Sequence, residues 1–202
     1  MKHLIKGVLL LICGLNIVQA SDFTADELVK MMQQGGYVVY FRHAATDHSQ
    51  KDIDRKNLEN CATQRNLSEL GKKQSLAIGV GFKKKNISVG KILSSPWCRA
   101  KDTARLGFGR VEIVPDLGFS ISRSKQDTQR LSKALNNMLS QPPESGTNTL
   151  IFSHTSNLKE ATGVWPKPEA VMVIFKPDQS KDSGYKYFGM ITPDYWLGLA
   201  KK

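Results

Sequence analysis

The stretch Tyr37-Val38-Val39-Tyr40-Phe41-Arg42-His43-Ala44 constrains this chain more than any other. Five β-formers in succession predict a short buried strand. An Arg-His pair comes directly after them, and Thr46-Asp47-His48-Ser49 then leaves the strand pattern. Neighbouring residues of a strand point to opposite faces. Arg42 and His43 therefore share one site only if the strand stops there and the backbone turns. In open α/β sheets the ligand crevice lies beyond the carboxyl ends of the strands, which is where this pair falls.

The pattern recurs. Lys91-Ile92-Leu93-Ser94-Ser95 predicts a second short strand and leads to Pro96-Trp97-Cys98-Arg99. Thr149-Leu150-Ile151-Phe152 predicts a third and leads to Ser153-His154. Each strand delivers a basic, hydrogen-bonding residue at its C-terminal edge. Two arginines and two histidines gathered there suit a dianionic phosphate, because guanidinium groups bond phosphate oxygens in planar, bidentate fashion.

In order and spacing, Arg42-His43-Ala44, then Ser94-Ser95-Pro96 with Arg99, then Ser153-His154 resemble the histidine phosphatase superfamily, with its phosphoglycerate mutase-like fold. Arg65-Asn66-Leu67-Ser68-Glu69-Leu70-Gly71 resembles that family's link into its first long helix. Lys101-Asp102-Thr103-Ala104 resembles the helix start after its second arginine. The likeness runs roughly from Tyr37 to Phe175. It implies a phosphatase of phosphomonoesters with His43 as nucleophile and a phosphohistidine later attacked by water. Arg42, Arg99 and His154 then hold the phosphoryl group. No cofactor and no metal are implied.

The proton donor for the leaving group is harder to place. One branch of the family puts a Glu after the strand beyond the second arginine, but here that region reads Val114-Pro115-Asp116-Leu117-Gly118-Phe119. The other branch uses His-Asp late in the chain, whereas His154 precedes Thr155. Asp116 and Glu169 remain as candidates, the latter within Pro168-Glu169-Ala170, which resembles a Gly-Glu-Ala element of some small exported members. Either carboxylate is equally at home on a solvated surface. Arg65 and Gln64 are further candidates for the phosphate or the rest of the substrate. Asn157 is one for bonding the backbone of the site, and His48 and Asp47 for the entrance.

Two other classes compete with the phosphatase. A metal hydrolase built on His43, Asp47, His48 and His154 has acceptable ligand types. It lacks any H-x-x-x-H or H-E-x-x-H spacing, and two arginines in the pocket would repel a cation. A non-catalytic binder of phosphorylated glycans or other anions would use the same basic pocket without turnover.

Met1 to Ala20 has the outline of a secretory signal peptide: Lys2 and Lys6, the apolar run Val8 to Cys13, and Val18-Gln19-Ala20 as a small-residue cleavage site. Gly14 and Asn16 break the run, which is too short to anchor the chain across a bilayer. Residues 21–202 then form one histidine phosphatase domain, periplasmic or secreted, with no membrane anchor after cleavage. The whole chain carries +11, and losing Lys2 and Lys6 leaves +9. That charge favours acidic partners: phosphate ion, phosphorylated small molecules, or phosphorylated glycans including lipopolysaccharide core sugars. Its lysines are spread along the chain apart from Lys83-Lys84-Lys85, and no nucleic-acid motif accompanies them. Cys61 and Cys98 remain after cleavage, and an oxidising compartment favours their pairing.

Ser21 to Gln34 reads as an amphipathic helix capped by Thr24 or Asp22, with Leu28, Val29, Met31 and Met32 inward. Ser68 to Phe82 reads as a second, with Leu76, Ala77, Val80 and Phe82 against the sheet. Pro96 to Leu106 and Ser124 to Leu139 are two more. Val111 to Val114, Val171 to Phe175 and Tyr185 to Ile191 are the remaining strands, the last two an antiparallel pair. Ala45 to Arg65 is a long polar loop on the catalytic edge. Strands alternating with helices predict a three-layer α/β/α sandwich with a mostly parallel sheet and one antiparallel edge strand.

Overall fold

The computed structural model describes residues 23–121 and 123–201, so the expected signal peptide lies outside the described residues. In chain order the elements are α1 (Ala25–Gln33), β1 (Val38–Arg42), α2 (Glu69–Lys84), β2 (Val89–Ser94), α3 (Cys98–Phe108), β3 (Glu112–Ile113), α4 (Lys125–Ser140), β4 (Asn148–Ser153), α5 (Thr155–Thr162), β5 (Met172–Pro177), β6 (Tyr185–Ile191) and α6 (Pro193–Ala200). One sheet carries every strand in the order β3-β2-β4-β1-β5-β6. Among the described residues no helix is long and apolar enough to cross a membrane.

Period-two alternation sorts the core. From β1, Val39 and Phe41 face one layer while Val38 and Tyr40 face the other. The first layer holds Leu28, Val29 and Met32 of α1, Ile78 and Phe82 of α2, Ala100 and Ala104 of α3, and Trp196 of α6. The second holds Leu135 and Leu139 of α4 and Leu158 of α5. Both faces of the central strands are thus covered, which is why β1 and β4 read as unbroken apolar runs. Phe41 stacks on Phe152 of β4 with ring centroids 4.4 Å apart.

Pairing is parallel for β1–β4, β2–β4 and β2–β3, and antiparallel for β1–β5 and β5–β6. The strand that runs against the others is β5, with β6 outside it. This has a direct effect on the site. β1, β2 and β4 reach the catalytic edge with their carboxyl ends, so their residues enter it just after each strand. β5 reaches the same edge with its amino end, so its contribution, Glu169, comes just before the strand.

Capping obeys the expected chemistry. Thr24 accepts from Glu27 N, and the Glu27 carboxylate accepts in return from Thr24 N at 2.7 Å. Ser68 and Ser124 cap α2 and α4 through Gly71 N and Asp127 N. The inward face of α2 differs from expectation. Gly71, Gln74, Ser75, Ile78, Gly81 and Phe82 are buried with Ala77, while Leu76 and Val80 face solvent. The buried set keeps helical spacing, but small and polar residues within it hide the register from a reading of hydrophobicity alone.

One of those small residues fixes the site. The Ser68 N–H donates to Ala45 O at 3.0 Å, pinning α2 to the loop beyond His43. A Cβ added at Gly71 would lie 2.0 Å from Ala45 O, so only glycine lets the helix approach this closely. Gly71→Ala should therefore destabilise the protein by about 1–3 kcal/mol. A urea midpoint lowered at unchanged slope checks this.

Candidate active site

The end of β1 places the first pair of side chains. Arg42 is the last residue of the strand, and His43 N donates to Ser153 O at 3.0 Å, so the ladder ends there and the chain turns. Ala44 N then donates to Thr103 Oγ1 and Ala45 N to Gln74 Oε1, each at 3.0 Å. His43 is buried and its Nδ1 lies 3.0 Å from Ala44 O. A carbonyl only accepts, so Nδ1 carries the ring proton and Nε2 keeps a free lone pair.

The second imidazole is held as firmly. Tyr40 Oη donates to His154 O at 2.6 Å and accepts from His154 N at 3.0 Å. Ser95 Oγ lies 2.9 Å from His154 Nε2 and accepts from Trp97 N. When its hydroxyl hydrogen goes to Nε2, the His154 proton sits on Nδ1, the tautomer that can donate to a phosphate oxygen. That nitrogen is buried with no hydrogen-bond partner among the described residues. The two imidazole centroids are 5.4 Å apart.

Three arginines face these rings. Arg99 enters from the first turn of α3 and is 1 % exposed, with its guanidinium over Trp97 at 4.5 Å and near Phe119 at 5.5 Å. Its Nη1 donates to Asp52 Oδ1 at 3.0 Å, which also accepts from Arg65 N. Arg42 Nη2 donates to Glu169 Oε1 at 3.1 Å. The Nε atoms of Arg42, Arg65 and Arg99 are all buried without a partner among the described residues. Burial lowers the guanidinium pKa of Arg42 and Arg99, an effect opposed by Glu169 and Asp52 respectively, and both stay charged.

Glu169 is gripped from several sides. Thr46 N donates to its Oε2 at 3.0 Å and Thr46 Oγ1 to its Oε1 at 3.1 Å. His48 Nε2 lies 3.7 Å from Oε2, at the solvent rim. Ala170 comes next with φ 65, a left-handed conformation that costs a non-glycine residue about 1–2 kcal/mol. Ala170 N donates to His43 O at 3.0 Å, so this turn ties Glu169 to the nucleophile's own backbone.

The structure thus gathers Arg42, His43, Arg99, His154 and Glu169, with Arg65 beside them and His48 at the mouth. Four other expected residues go elsewhere. Both ends of the Gln64 amide are taken by backbone, Oε1 by Cys98 N and Nε2 by Leu58 O, so it braces the loop. Asn157 Nδ2 donates to Gly118 O at 2.7 Å and joins α5 to the neighbouring loop. Asp116, on the 3₁₀ turn Pro115–Leu117, pairs with Arg130 of α4 at the surface. Asp47 bonds Ser49 and Gln50. Among the described residues no group of three His, Cys, Asp or Glu is placed to hold a metal ion.

Sequence reasoning missed Asp52, Thr46 and Phe119. Asp52 sits in the loop 45–65, which has no periodicity to say where its carboxylate points. Cys61 and Cys98 are bonded, across a separation of 37 residues, and this fastens the loop to the start of α3.

No protein-family model matches the chain, and neither does any curated protein. Solved structures do. The protein histidine phosphatase SixA, complexed with tungstate, is 16% identical, with 79% of this chain and 98% of that one covered at TM-score 0.53. The phosphoserine phosphatase of Entamoeba histolytica, in complex with 3-phosphoglyceric acid, is 12% identical, with 77% and 96% covered at TM-score 0.55. The mycobacterial glucosyl-3-phosphoglycerate phosphatase, with VO3, is 14% identical, with 70% and 93% covered at TM-score 0.51. The chain has the histidine phosphatase fold. At these identities the likeness is one of architecture, and the pocket of arginines and histidines occupies the edge of that fold where β1, β2 and β4 end.

Burial, and then the positive charge of Arg99, push the pKa of both His43 and His154 well below the ordinary imidazole value. Both rings should stay in their neutral form as pH falls through about 6.5, the value of a free imidazole. The unfolded chain binds those protons first, so stability should decline as pH falls below about 6.5, until the folded rings titrate as well. An NMR titration with a midpoint at or above that value for either ring would contradict this.

Proposed function

We propose that the protein is an exported phosphatase that hydrolyses phosphate monoesters through a phosphohistidine on His43. The observation that carries this reading is the set of three guanidinium groups, each with a buried and unpaired Nε, around a neutral imidazole whose Nε2 is free. A tetrahedral dianion satisfies those donors, and nothing apolar does.

In the first half-reaction His43 Nε2 attacks phosphorus in line with the ester oxygen. The bond from phosphorus to nitrogen forms as the ester bond breaks. Arg42, Arg65, Arg99 and the Nδ1–H of His154 hold the equatorial oxygens, where charge gathers in the transition state. Glu169 in its acid form gives the leaving oxygen its proton, and the alcohol departs. Water then attacks phosphorus, Glu169 takes a proton from it, and inorganic phosphate leaves as Nε2 regains its lone pair. Glu169 is placed for this role by its bond to Arg42, which also holds the phosphoryl group, and by its position beside His48 at the solvent rim. Asp116 does not, because Arg130 holds it at the surface.

Export accords with the N-terminal outline of a signal peptide and with the Cys61–Cys98 bond, since such bonds persist in oxidising compartments. The natural substrates are then phosphorylated small molecules or glycans outside the cytoplasm, lipopolysaccharide core sugars among them. The chemistry assigned to the site uses side chains alone.

His43→Ala should abolish turnover of p-nitrophenyl phosphate and the acid-labile, base-stable phosphoenzyme seen by rapid quench. Turnover retained in that variant refutes the nucleophile, and binding of phosphate without turnover in the parent protein marks a binder instead. Glu169→Gln should cost about 10²–10⁴-fold in kcat on alkyl phosphates and much less on p-nitrophenyl phosphate, whose leaving group needs no proton. Equal losses on both would remove Glu169 as the acid.

A further inference from the structure

Next to the phosphate pocket lies a cleft of ≈ 210 Å³ lined by Arg55, Trp97, Phe119, Ile121 and Arg123. Its aromatic wall is shared with the pocket. Trp97 and Phe119 are the two rings against the Arg99 guanidinium, and the Phe119 centroid is 5.0 Å from that of His154. Phe119 thus lies between the residues that meet the phosphoryl group and the cleft.

The two charged residues lining the cleft are both arginines. Elsewhere in the chain Arg42, Arg99 and Arg130 each have a carboxylate partner. Among the described residues neither Arg55 nor Arg123 forms an ion pair. The one side-chain bond of Arg123 among the described residues is a long one, 3.4 Å from Nε to Phe119 O, and its terminal nitrogens have no partner there. The nearby carboxylate of Asp54 is turned to backbone, accepting from Lys56 N and Asn57 N. Two uncompensated guanidiniums facing one small, aromatic-walled space make a site for an anion rather than for a neutral or cationic group.

We propose that this cleft binds a second anionic group of the substrate, a phosphate or carboxylate about one sugar ring away from the phosphate that is cleaved. The substrate class is then a compact phosphomonoester carrying a further anion. This rests on the phosphatase reading and narrows it. The ring between the two anions lies against Phe119, while Arg55 and Arg123 hold the far group and set which end enters the pocket.

The test compares glucose 1,6-bisphosphate with glucose 6-phosphate by initial rates of phosphate release. In the parent protein kcat/KM for the bisphosphate should exceed that for the monophosphate by about tenfold or more. In the double variant Arg55→Ala, Arg123→Ala the ratio should fall by about fivefold or more. The ratio is unaffected by partial loss of folded protein. A ratio near two in the parent, or a high ratio that survives in the double variant, overturns the proposal. Calorimetric binding of both sugars to His43→Ala protein, with and without the two arginine changes, separates the failures. If neither sugar is turned over but the bisphosphate binds about tenfold tighter only when both arginines are present, the phosphatase reading fails and the cleft stands. Equal affinities remove the cleft whatever the kinetics show.

Discussion

Like charges gathered in a buried space are the constraint around which this molecule is arranged. Arg42, Arg65 and Arg99 crowd the two imidazoles, and removing guanidinium groups from water is costly without compensation. Two carboxylates supply that compensation from opposite sides. Glu169 answers Arg42, and Asp52 answers Arg99. Neither carboxylate comes from the segment that carries the arginine it pairs with. One arrives on the turn before β5 and the other on the loop 45–65, so the basic pocket cannot assemble until segments far apart in sequence have met.

The same arrangement explains the state of the histidines. An imidazolium would add another positive charge to a site already crowded with them. Burial and the Arg99 charge keep both rings neutral, and the carbonyl of Ala44 decides which His43 nitrogen holds the proton. The field that suppresses protonation is also the field that welcomes a dianion, so one set of charges serves both binding and nucleophilicity. Tyr40 links this site to the core: its ring packs in the second layer and its hydroxyl grips both backbone groups of His154.

Much of this is legible in the sequence wherever a strand ends in a chemically distinctive residue. The runs ending at Arg42, Ser94 and Ser153 have the composition of buried strands, and His43, Ser95 and His154, the residues just beyond them, stand at one edge of the sheet. The caps at Thr24, Ser68 and Ser124 are readable for the same local reason. Legibility fails where position depends on distant partners. Leu76 and Val80 look like core residues, yet the helix turns its glycines inward because the loop at Ala45 and the ring of Trp196 need close approach. Gln64 looks like a substrate contact, and its amide is spent on backbone. Helix α6 escapes a reading of periodicity although Thr192-Pro193 opens it, since eight residues with one buried tryptophan give little pattern. Asp52 has no signal at all, because a loop residue's direction is set by the loop's anchors.

One of those anchors is covalent. Cys98 begins the helix that carries Arg99, and Cys61 closes the loop that carries Asp52 and Arg55. A single sulfur–sulfur bond therefore couples the oxidation state of the surroundings to the placement of a phosphate-binding arginine, its counter-charge and the cleft beside them. Where thiols are kept reduced the loop would be restrained only by noncovalent contacts, such as the hydrogen bonds of Gln64 and the ion pair of Asp52 with Arg99. Oxidation thus adds a covalent restraint to a charge arrangement that is otherwise held by noncovalent bonds, which makes maturation of the pocket a chemical event as well as a conformational one.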